Sequence, residues 1–177
     1  MLTETTTARQ PAQMVWAAVW LDDRGQPRRS ELIIMERDPN APNSGYTSQS
    51  YIQALRQGLL PHWRRSQLFM HDNAPIHKAR MVVEFMEKEH ITPIEWPAYS
   101  PDLNPIEHLW WVLKKRVYTY YPQYNRLDRT TEQWEAFCEA LKKGWREIPG
   151  QLITRLIKSM PRRIDACTKA RGWQTKY

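Results

Sequence analysis

Hydrophobic and polar positions divide the chain into short strands followed by longer helices. Residues 14–21, MVWAAVWL, are apolar and bulky, and they predict a strand. Asp22-Asp23-Arg24-Gly25 predicts a turn, and residues 30–36, SELIIME, predict a second strand, so the two form a hairpin. The Pro, Asn and Gly of residues 38–45 predict a loop. Thr47 or Ser48 caps a helix that runs to about residue 60, with Tyr51, Leu55 and Leu59 as its buried stripe and Pro61 as its stop. Residues 67–71, QLFMH, predict a short strand that runs into Asp72-Asn73-Ala74-Pro75. A helix over about 76–89 follows, with Ala79, Val82, Val83 and Met86 facing inward. Residues 92–96 predict another short strand, and 97–105, PAYSPDLNP, a loop. Pro105 suits the first turn of a helix over about 105–118, whose apolar stripe is Ile106, Trp110, Leu113 and Val117. Further helices are expected at about 130–143, 149–158 and 161–171. An initial hairpin followed by alternating strands and helices predicts an α/β layered domain, a mixed sheet covered by helices.

A chain of 177 residues is the size of one domain with a single real core. Nine Trp and eight Tyr are many for this size; most are expected in the core, and the sequence alone does not separate these from any that stack on bases. The net charge of +7 is unevenly placed. Residues 1–109 carry 11 Lys/Arg against 13 Asp/Glu, whereas residues 110–177 carry 15 against 6. The basic part is either a face for a polyanion or a solvated helical surface. Cys138 and Cys167 form no CxxC pair, so no zinc knuckle or redox motif is present, and a reducing compartment is expected. No apolar stretch is long enough to cross a bilayer. Residues 1–13 have no apolar core, so they read as a polar leader rather than a secretory signal.

Candidate chemistry centres on carboxylates. Asp72 follows an apolar strand that Asn73-Ala74-Pro75 stops, which puts its side chain at a sheet edge. Glu107 lies in the first turn of a helix, where the helix N-terminus favours an anion. Asp102 lies in the loop between them. Two carboxylates at one sheet edge suit Mg²⁺ or Mn²⁺, which prefer oxygen ligands. Two such ions about 4 Å apart drive phosphoryl transfer. The same residues also read as a plain turn-former and a routine first-turn acid.

HDNAPIHKA (71–79) and WPAYSPDLNPIEHLWWVLKKRV (96–117) resemble the two best-defined blocks of the Tc1/mariner transposase catalytic domain, a DDE superfamily endonuclease. MVWAAVW resembles the strand upstream of those blocks, and the likeness spans about residues 14–118. Asp72 and Glu107 lie 35 positions apart, a Tc1-type spacing. The resemblance implies a ribonuclease-H-like fold and an Asp-Asp-Glu triad that uses two Mg²⁺ or Mn²⁺ ions to cut DNA and transfer strands. Asp72 would be the second carboxylate and Glu107 the third, both catalytic and metal-binding. Asp102 would shape the loop. The family's first aspartate sits on a strand ahead of MVWAAVW, but residues 1–13 hold no aspartate and no apolar strand. The family's helix-turn-helix modules are also absent. The expected fold is therefore ribonuclease-H-like without its first central strand, plus a helical C-terminal extension. That describes a fragment, a misassigned gene start or a relic. The expected divisions are a leader at 1–13, a partial catalytic domain at 14–125, and a basic helical extension of the same domain at 126–177.

Asn73, His77, Asn104 and Trp111 are expected to support the site. His71, His77 and His108 fit no standard zinc spacing. His77 would orient the Asp72 loop or meet a phosphate, unless it is a plain structural donor, and Trp111 would wall the cleft. Lys114, Lys115, Arg116, Arg162 and Arg163 are candidate contacts to DNA phosphates, with Lys169 and Arg171 extending the basic character. Expected partners are double-stranded DNA and a second copy of the chain, with no membrane and no small-molecule substrate. The expected location is the nucleus in a eukaryote and the cytoplasm otherwise. The competing expectation is a non-catalytic, nucleic-acid-binding or dimerising derivative of a transposase.

Overall fold

The structure, a computed structural model, describes residues 13–41, 44–97, 100–125 and 130–171. Apart from Gln13, the expected leader lies outside these residues, as does the chain beyond Arg171.

The N-terminal hairpin is built from four short strands: β1 (Val15–Trp16), β2 (Val19–Leu21), β3 (Pro27–Arg29) and β4 (Ile33–Ile34). β2 pairs antiparallel with β3, and β1 with β4. Trp16 faces Ile33 while Val19 faces Arg29, so two residues on one strand oppose three on the other. This is a bulge, and Ser30 explains it. Ala18 N donates to Ser30 Oγ at 2.9 Å, and Ser30 N donates to Ala18 O at 2.9 Å, so a side chain takes the place of a carbonyl in the ladder. The continuous strands expected over 14–21 and 30–36 are therefore interrupted, and the second arm begins earlier, at Pro27. At the tip Asp22 Oδ1 accepts from Arg24 N and Gln26 N, and Gly25 takes a φ of +71° that favours glycine. Those backbone donors, that of Gln26 first, hold the Asp22 carboxyl below the usual range.

Side chains alternate across the hairpin and feed two cores. Val15, Ala17, Val19, Leu32 and Ile34 join the core built with α3 (Pro105–Tyr120), α4 (Thr131–Arg146) and α5 (Gly150–Lys158). Trp16, Ile33 and Met35 join the core built with α1 (Ser48–Ala54), α2 (Arg80–Lys88), Phe69 and Ile91. The hairpin is thus the middle layer between two helical layers. Arg29 locks one side: its guanidinium donates to the carbonyls of Trp145, Arg146 and Ile148 at 2.5–3.3 Å, satisfying the C-terminal end of α4. In return, Trp145 Nε1 donates to Ser30 O at 2.9 Å.

Thr47 caps α1 in a capping box with Ser50. The helix continues as a π-helical segment, Leu55–Leu59, and a 3₁₀ turn, Leu60–His62, which contains Pro61. Tyr51, Leu55 and Leu59 are all buried. The helix expected from residue 76 begins later, because Pro75–His77 forms a separate 3₁₀ turn. On α2 the buried set is Val82, Phe85 and Met86, spaced i, i+3, i+4, while Val83 is 44% exposed and not inward as expected. The buried stripe of α3 is Pro105, Leu109, Leu113 and Val117, with Ile106 and Trp110 flanking it. A last helix, α6 (Met160–Lys169), closes the described chain.

The strands expected at 67–71 and 92–96 reduce to one parallel bridge, Phe69 to Pro93. Phe69 N donates to Thr92 O and Ile94 N to Phe69 O, both at 2.8 Å. Pro93 has no N–H, so it cannot donate to a strand on its other side. Among the described residues no strand joins this bridge to the hairpin. The sheets stay small and unclosed, in keeping with a mixed sheet that lacks its first central strand.

Candidate metal and nucleic-acid site

Asp72 sits three residues past the bridge, where the chain leaves its extended path. Its Oδ1 accepts from Ala74 N at 3.0 Å, the local turn that Asp side chains favour. His77 comes back on the 3₁₀ turn, with Nδ1 2.7 Å from Asp72 Oδ1. Asn73 Nδ2 donates to Trp96 O at 2.5 Å, which ties this turn to the segment after the bridge. The Asp72 side chain remains more than half exposed.

Behind the turn lies an aromatic stack. The Tyr51 ring lies 3.9 Å from that of His77, and His71 stacks at 5.2 Å from His77. Tyr51 Oη meets His71 Nδ1 at 3.0 Å. Burial pushes the Tyr51 phenol up, and the Asp72 charge adds to that. Burial, then the neighbouring His77, pushes His71 down to about 4. The ring is therefore neutral and can accept from the phenol. The sequence marks Tyr51 only as a core residue. Nothing in its spacing shows that it underlies the Asp72 turn, because α1 packs there only in three dimensions.

Glu107 is fixed from the other side. Asn104, almost fully buried, caps α3 by accepting from Ile106 N at 3.1 Å, and Glu107 N donates to Asn104 O at 3.2 Å. Arg163, also buried, braces the preceding loop. It donates to Asp102 O at 2.6 Å and to Ser159 Oγ at 2.9 Å. Although Glu107 reaches solvent, desolvation raises its carboxyl above the usual range, and the negative charge of Asp72 raises it further. Lys114 pulls the other way. Asp72 and Glu107 thus share one electrostatic field, although they sit on different elements. Two carboxylates that repel each other offer oxygen donors to a hard divalent cation, which would relieve the repulsion. Among the described residues no group of three or more His, Cys, Asp or Glu could hold a metal. Asp72 and Glu107 are the two carboxylate donors that the described residues bring into this field.

The remaining candidate residues separate by exposure. Trp111, 57% exposed, lies one turn above Glu107, with His108 5.8 Å from its ring and Lys115 Nζ 5.1 Å from its centroid. Lys114, Lys115 and Arg162 are exposed. Arg116 is half-buried, paired with Glu147 at 3.0 Å and placed over the Tyr120 ring. Arg163 departs from the expected phosphate contact: its guanidinium is spent inside the fold, between α6 and the loop before α3.

The profile of the DDE superfamily endonucleases matches residues 40–143, a span that contains both carboxylates. The chain belongs to this family. It is 36% identical over 165 residues to the Tc1 transposase of Caenorhabditis elegans, covering 93% of this chain and 54% of that protein. It is 35% identical over 132 residues to the Tcb2 transposase of Caenorhabditis briggsae, covering 72% of this chain and 45% of that protein. These relatives place it on the Tc1/mariner branch of the DDE family. The chain spans about half the length of the curated relatives it matches. Among solved structures, the Mos1 transposase catalytic domain with Raltegravir and Mg superposes at a TM-score of 0.59 with 19% identity, over 92% of this chain and 84% of that one. A pre-cleavage Mos1 transpososome superposes at 0.63 with 20% identity, over 99% of this chain and 49% of that one. At this identity the likeness establishes the fold, a ribonuclease-H-like α/β domain whose sheets here stay small.

Proposed function

We propose that this chain is the part of a Tc1/mariner-type transposase that brings two metal-binding carboxylates, Asp72 and Glu107, to cleavage and strand transfer at DNA phosphodiesters. What supports this reading is that the two family blocks lie within electrostatic reach of each other, the Asp72 charge adding to the rise of the Glu107 carboxyl. The Mos1 catalytic domain has been solved with Mg and with Mn, and Mos1 also as a Strand Transfer Complex. We carry the ion class and reaction class from these proteins to this chain. Mg²⁺ or Mn²⁺, when bound, would supply the charge that activates water and stabilises a leaving oxygen. The chain's own part is to present the donors. Ala74 and His77 hold Asp72, while Asn104 holds the start of α3 and so aims Glu107. Residues 14–125 then form the catalytic part, with 126–177 as its basic helical extension. The partners are double-stranded DNA and a second copy of the chain, in the nucleus of a eukaryote or the cytoplasm otherwise.

The expected outcome for these 177 residues by themselves is poor nicking of DNA. Two dications about 4 Å apart repel strongly unless a carboxylate lies between them. Asp22 is a poor substitute, because the hairpin tip holds it against Arg24, Gln26 and Arg28. Nicking of supercoiled DNA with Mn²⁺ tests this. The proteins compared are this chain, its Asp72→Asn variant, and a longer version with an aspartate-bearing strand ahead of residue 14. Only the longer version should nick, and Asp72→Asn or Glu107→Gln should return it to background. Robust nicking by the 177 residues, lost in Asp72→Asn, would overturn the deficit. No nicking by either version would leave the second reading, a non-catalytic nucleic-acid-binding or dimerising protein. That reading draws on the lack of a three-ligand group among the described residues.

A further inference from the structure

α3 carries two adjacent tryptophans with opposite fates. Trp110 turns inward and its ring lies 5.2 Å from that of Trp145. Trp111, about 100° further round the helix, stays 57% exposed. A singly exposed apolar side chain needs no explanation by itself. What surrounds this one does. Glu107 lies one turn below it on the same face, and Lys114 is near enough to Glu107 to lower its carboxyl. Lys115 Nζ lies 5.1 Å from the indole centroid, and the His108 ring is tilted 47° to it at 5.8 Å. The indole therefore shares a helix face with a candidate metal-binding carboxylate, with the exposed Lys115 against its ring.

We infer that Trp111 is a stacking platform for an unpaired DNA base at a strand end held beside Asp72 and Glu107, an inference that rests on the nucleic-acid reading above. The ligand follows from the chemistry on this face. Lysines neutralise phosphates, whereas an open indole face takes another π-face. Inside an intact duplex the bases stack on one another and present only edges and backbone. A base that has lost its partner presents a free face, so the platform selects frayed ends. Lys115 on the indole adds a cation–π contact, which orients the ring while leaving the ammonium available to a phosphate.

The test compares two duplexes of equal length and charge, one fully paired and one with a two-base mismatch at its end. 2-Aminopurine at the terminal position reports stacking by its loss of fluorescence. The full chain should bind the frayed duplex roughly tenfold more tightly, the scale of one base–aromatic stack, and quench the probe. Trp111→Ala should lose the preference and the quenching, keep its affinity for the paired duplex and keep the slope of affinity against salt. Trp111→Phe should retain most of the preference. Unchanged circular dichroism in both variants, expected for so exposed a position, excludes misfolding. Equal binding of the two duplexes by the unaltered chain, or an undiminished preference in Trp111→Ala, overturns the inference alone. Failure to bind either duplex, or binding insensitive to salt, overturns the nucleic-acid reading and this inference with it.

Discussion

Gly58 lies in the π-helical segment that continues α1, directly against the Trp16 ring of β1. A Cβ there would stand 2.6 Å from Trp16 Cε3 and 3.0 Å from Ile33 Cγ1. Neither neighbour can retreat easily, since both pack into the core shared with α1 and α2. Gly58→Ala should therefore destabilise the protein by about 1–3 kcal/mol through overpacking, although alanine is the better helix former. Chemical denaturation reads this as a lower midpoint. A raised midpoint would mean that the helix does not sit so close to the hairpin. This glycine is invisible to pattern reading. Its value comes from a tryptophan 42 positions away, and only the packed structure brings the two together.

At the scale of elements, the junction of hairpin and α4 stands or falls with Arg29. Its guanidinium serves three carbonyls at the end of α4, and burial lowers its basicity. Arg29→Met keeps much of the aliphatic stem and removes the donors. The carbonyls left behind should cost about 2–4 kcal/mol, more than a surface charge is worth. Thermal unfolding should show this loss, and Arg29→Lys should recover only part of it, because a point charge cannot span three acceptors. A loss under 0.5 kcal/mol on the same scale would show that water replaces the guanidinium. The helices on the far side of this junction were the most legible part of the chain. The expected 130–143, 149–158 and 161–171 became Thr131–Arg146, Gly150–Lys158 and Met160–Lys169. Long apolar periods and local caps mark helices without help from distant partners. Residues 67–71 and 92–96 carried strand-like sequences, but a ladder extends only as far as its partner stays in register, and between these segments only Phe69 and Pro93 paired.

At the scale of the whole molecule, charge and burial divide the basic residues between binding and structure. Residues 110–177 carry a net +9, so affinity for duplex DNA should fall steeply with salt and show no preference for sequence. Titrations at two salt concentrations should show Lys114→Ala and Arg162→Ala each reducing the logarithmic slope by about one. Arg163→Ala should leave that slope unchanged and instead lower stability by about 2 kcal/mol, because Asp102 O and Ser159 Oγ lose a buried donor. An Arg163 variant that weakens DNA binding at unchanged stability would contradict its place inside the fold.

The sequence by itself determined the family, the two carboxylates worth testing, the hairpin with its Asp22–Gly25 tip, and the helices from residue 105 onward. Each of these depends on residues close together in the chain or on a fixed spacing between two compact blocks. Tertiary structure alone decided that Tyr51 stacks beneath the Asp72 turn and that Arg163 braces the Glu107 helix rather than facing solvent. It also decided that Ser30 breaks the hairpin into two registers. The physical reason is the same throughout. Local pattern fixes which backbone hydrogen bonds form nearby, but burial and charge pairing depend on which element arrives opposite, and that is settled only when the layers close.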